Sequence, residues 1–127
     1  MAKTLLVAVD FAAGLKVLEA LDRSTLSIKV ALWAYFGDYE EWRFALASPH
    51  LDPIIGPKAY RLVHETLEAA GISYEQTPPL MIFKMSDAFI RDLRRQFAKK
   101  RAVEGMHLGL QTFGNRWVED SLVYRIR

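Results

Sequence analysis

The sequence predicts an α+β domain: a largely antiparallel sheet built from two hairpins and a middle strand, with about three helices packed on one face. Three observations predict it. Apolar residues alternate with period two on both sides of two turn-rich breaks, residues 37–41 and 114–115, as hairpins require. Three other stretches carry apolar residues at helical spacing. A length of 127 residues is enough for one hydrophobic core and not for several, so residues 1–127 read as a single domain.

Phe11, Gly14, Val17, Leu18 and Leu21 recur at helical spacing between Lys16, Glu19, Asp22 and Arg23, which predicts an amphipathic helix over 11–22 ended by Ser24. The run 4–9 before it either extends that helix or forms a buried strand, because a short apolar run does not separate the two by period. A single longer helix is the preferred reading. The run 5–10 followed by a helix resembles the opening of a universal stress protein. The chain carries no later glycine-rich phosphate loop and continues in hairpins where parallel crossovers would be needed, so the resemblance is not adopted.

From 27 to 36, Ile28, Val30, Leu32, Ala34 and Phe36 alternate with Ser27, Lys29, Ala31, Trp33 and Tyr35. Trp42, Phe44 and Leu46 resume the alternation after the turn, giving a hairpin over 27–48. Pro49, Pro53, Gly56 and Pro57 then break the chain, and a proline in the first turn of a helix costs no hydrogen bond. Tyr60, Val63, His64 and Leu67 form one face of the second helix, and Gly71 suits a left-handed cap at its end. Residues 72–76 read as a short extended piece and 80–85 as the middle strand. Ser86 is placed to cap a third helix, Asp87 complements its dipole, and Phe89, Ile90, Leu93 and Phe97 form its buried stripe. Met106, Leu108 and Leu110, then Val118, Leu122, Tyr124 and Ile126, make the second hairpin.

Composition removes several classes of chemistry. The chain has no cysteine, which excludes disulfides, a thiolate nucleophile and cysteine-ligated zinc or iron–sulfur centres. Its first ten residues hold an apolar run too short for a signal peptide or a membrane span, so a cytoplasmic location and no membrane partner are expected. A net charge of +2 does not by itself imply a polyanionic partner. No phosphate-binding glycine pattern, nucleophile elbow or His-Glu-x-x-His is present, and no cofactor is expected.

Three constellations remain. Trp33 and Tyr35 on the less apolar side of the first hairpin, with Trp117 near the last turn, either close a small second core or form a binding surface for a protein partner or a second copy. Residues 91–101 carry net charge +5. On a helix, Arg91, Arg94, Arg95 and Lys99 fall within about 140° of one another, opposite the apolar stripe. That is either a phosphate-tracking face or an ordinary solvated one. Asp38, Glu40, Glu119 and Asp120 sit in turns or at strand ends, and convergence of their oxygens would suit a divalent ion in a metal-dependent nuclease or hydrolase. Of the histidines, His64 reads as a core-edge residue, His50 lies near Asp52, and His107 belongs to a strand. The leading expectation is a non-catalytic binding or assembly domain, homodimeric in one form of that reading. A nucleic-acid-associated protein and a metal-dependent hydrolase are the alternatives.

Overall fold

A computed structural model describes the backbone of residues 8–100 and 103–127, and their side chains from residue 11 onward. The chain runs α1 (Ala8–Asp22), β1 (Val30–Phe36), β2 (Glu41–Ala47), α2 (Pro57–Ala69), β3 (Leu80–Phe83), α3 (Ala88–Phe97), β4 (His107–Leu108), β5 (Gln111–Phe113) and β6 (Arg116–Ile126). The α+β class holds: three helices accompany a six-stranded, mostly antiparallel sheet of order β3-β2-β1-β6-β4, with β5 also on β6. Ala8 and Val9 continue α1, while residues 4–7 of the run before it lie outside the described residues.

The first hairpin pairs Val30–Phe36 with Glu41–Ala47 as the alternation predicts. The second is less regular. Its outer strand splits into β4 and β5, which pair with successive parts of β6. The middle strand β3 pairs with β2 in parallel, through the crossover that α2 supplies. Residues 72–76 contain a short 3-10 turn (Tyr74–Gln76) where an extended piece was expected, because the Gln76 side chain accepts the Ser73 amide and closes a capping box.

The helices do not share one face. β1 is buried along its whole length, which marks it as central and covered on both sides. Ala31, Trp33 and Tyr35 point into a core closed by α1 and α2. Val30, Leu32, Ala34 and Phe36 point into a second core closed by Phe89, Ile90, Leu93 and Phe97 of α3. The result is three layers, two helices over the sheet and one beneath it. Period-two alternation shows which residues share a face and cannot show which helix covers it.

Local signals act largely as expected at the helix ends. Pro57 occupies the first turn of α2, and Gly71, at φ +87°, follows its last turn. The cap of α3 is shifted by one residue from Ser86. The Asp87 carboxylate accepts the Phe89 amide at 2.9 Å. No helix among the described residues is long and apolar enough to cross a membrane.

Candidate functional site

The predicted aromatic surface is not assembled. Trp33 and Tyr35 keep only 4% and 3% of their surface, while Trp117 keeps 48%. Trp33 packs on Phe44 and Tyr35 on Trp42 beneath the helical layer, so these rings fill the core and cannot meet a partner. Burial, with the Glu119 and Glu40 carboxylates beside it, pushes the Tyr35 phenol above its ordinary value.

The acidic residues lie toward one end of the sheet without forming a metal centre. Glu40 sits in the β1–β2 turn at φ +54°, and Glu119 reaches the same turn beside Gly37. Asp120 is engaged otherwise, accepting the Ser121 amide at 2.9 Å and facing His107 Nε2 at 2.8 Å. Among the described residues no group of three or more His, Cys, Asp or Glu is placed to hold a metal ion. Asp38, Glu40, Glu119 and Asp120 therefore offer a hydrolase reading no centre to build on. The His107–Asp120 pair is invisible in the sequence, since it exists only because β4 lies against β6. Asp52 is not the partner of His50: its carboxylate accepts the Met85 amide, and His50 Nδ1 contacts the Thr25 carbonyl. His64 lies on α2, its ring tilted against Tyr74 at 4.9 Å.

The basic constellation is brought together. The stripe Phe89, Ile90, Leu93 and Phe97 is buried against the sheet, which turns Arg91, Arg94 and Arg95 outward into solvent. Lys99 is exposed in the turn just beyond the end of α3, continuing the row, and Arg101 lies outside the described residues. The acids on this helix are held in local roles. Asp87 caps the first turn, and Asp92 accepts the Gly114 amide at 2.8 Å and pairs with Arg95. The Gly114 amide first, and Arg95 next, hold the Asp92 carboxyl below its usual range. Arg94 Nε donates to the main-chain oxygen of Arg127 at 2.6 Å.

Gly114, legible in the sequence only as part of a hairpin turn, also sets the approach of that turn to α3. At φ +62° it lets the β5–β6 turn approach α3 so closely that a Cβ there would lie 2.6 Å from the Ala88 carbonyl carbon. The turn and the helix then enclose a cleft of about 490 Å³ lined by Ala88, Arg91, Asp92, Arg95 and Gly114. Guanidinium groups flanking such a cleft present paired donors in the geometry of a phosphate. A second cavity of about 500 Å³, between α1 and the end of β6, has mixed charge. Its Arg125 is occupied by both oxygens of Asp22, at 2.7 and 2.8 Å.

Comparison of the chain with protein-family models, with curated proteins and with solved structures finds no match.

Proposed function

We propose that this is a cytoplasmic, non-catalytic binding domain that takes the phosphate backbone of a nucleic acid on the outer face of α3. One observation carries the reading: Arg91, Arg94, Arg95 and Lys99 are all exposed on one segment, where Asp87 is turned to the Phe89 amide and Asp92, shared between the Gly114 amide and Arg95, is the one acid that meets the row. Cations held this way gain by releasing condensed counterions, so binding is electrostatic and largely indifferent to base sequence. Assembly through a protein partner or a second copy has less support, because two of its three aromatic residues are buried.

Retention of labelled DNA and RNA at low ionic strength tests the reading. Four cations engaged give a slope of log affinity against log salt of about −3 to −4. Arg91→Glu combined with Lys99→Glu should abolish retention at unchanged melting temperature, since neither side chain makes a hydrogen bond or ion pair among the described residues. Absence of retention of both polymers by the unmodified protein would overturn it.

A further inference from the structure

We propose that the nucleic acid taken by α3 is single-stranded, with its backbone along Arg91, Arg95 and Lys99 and one base stacked on Trp117. This rests on the reading of α3 given above. Trp117 is the outlier among the three tryptophans: Trp33 and Trp42 lie in the core, and Trp117 holds its indole at the surface. It stands three residues after Gly114, on the hairpin whose tip closes the cleft between Arg91 and Arg95. Asp92 ties that tip to α3 through the Gly114 amide, which holds the hairpin that carries Trp117 against the helix that carries the arginines.

The placement also orders the ligand. Val118 points into the core under α3, so its neighbour Trp117 points to the opposite side of the hairpin. A strand leaving the cleft reaches the indole by crossing the exposed tip at Gly114 and Asn115. Arg91 and Arg95 stand one helical turn apart, about 6 Å along the axis, which is the scale of neighbouring phosphates on one strand. Beside Trp117 the charge reverses: Glu119 and the indole Cδ1 both lie against Gly37. Phosphates are repelled there, so a strand that has crossed the tip presents a base face, and not its backbone, to the ring. A duplex hides its base faces within the stack and has none to offer. A basic track beside an exposed aromatic is the combination that single strands use, and each stacked base contributes substantially to affinity.

Titration of a short labelled mixed-sequence DNA oligonucleotide, single-stranded and then annealed to its complement, tests the proposal at low ionic strength, with fluorescence anisotropy of the label giving affinity for every variant and tryptophan emission as a second readout for the unmodified protein. The single strand should bind more tightly than the duplex and quench the emission. Trp117→Ala should lose about tenfold in affinity for the single strand and leave the duplex unchanged, and Trp117→Phe should retain most of the binding. Equal affinity for both forms, with Trp117→Ala neutral and Arg91→Glu/Lys99→Glu still damaging, would overturn the single-strand proposal and leave the α3 reading standing. Binding of neither form would remove both.

Discussion

Trp33 shows how one side chain separates two functional readings. Its indole packs on Phe44 at 5.5 Å between ring centroids, and its Nε1 would stand 2.9 Å from a Cβ placed on Gly14 of α1. Only a glycine admits the helix this close, and the contact is what removes the ring from the surface. Trp33→Ser should therefore destabilise the fold by ~3–5 kcal/mol in urea melts, as large-to-small core changes do. The measured mass of the protein should not change. A loss of self-association at unaltered stability would instead return Trp33 to an interface.

At the scale of elements, the sheet must manage two edges, since unpaired strand groups invite pairing with other chains. On one side the outer strand is cut into β4 and β5, of two and three residues. On the other, β3 is short, and the Tyr60 hydroxyl on α2 accepts its outward Ile82 amide at 3.0 Å. The same bond fixes the parallel crossover, linking α2 to the strand that follows it. Tyr60→Phe leaves that amide without its partner and should cost about 1 kcal/mol. Thermal melts, with hydrogen exchange at Ile82 as a local probe, would check both effects. An unchanged exchange rate would mean that the hydroxyl does not protect the edge.

At the scale of the whole molecule, two carboxylates tie elements far apart in the chain. Arg125 on β6 clamps Asp22 at the end of α1, and its hydrogen bond is the main cause holding the Asp22 carboxyl below its usual range. Asp92 is lowered likewise by the hairpin amide. A carboxyl lowered in the folded state contributes stability that is present above its ordinary value of about 4 and lost as pH falls through the lowered one. Melting temperature should therefore fall below about pH 4. In Asp22→Asn that fall should be shallower, with a lower plateau at neutral pH. An identical acid profile in the variant would show that the clamp adds nothing to stability.

The residues by themselves determined the features that depend on near neighbours. The apolar stripe of α3 and the arginines opposite it, Pro57 in the first turn of α2, Gly71 after its last, and the turn between β1 and β2 are all legible, because helical and strand periods act over a few residues. The candidate basic face was legible for the same reason: Arg91, Arg94 and Arg95 project outward once Phe89, Ile90, Leu93 and Phe97 turn in. Tertiary structure alone decided which layer covers which face of β1, and so sent Trp33 and Tyr35 into the core while leaving Trp117 outside. It also set β3 parallel to β2, brought His107 to Asp120 and seated Gly114 against Ala88. Each of these depends on contacts between segments distant in sequence, and alternation within one strand carries no information about the element that will lie across it.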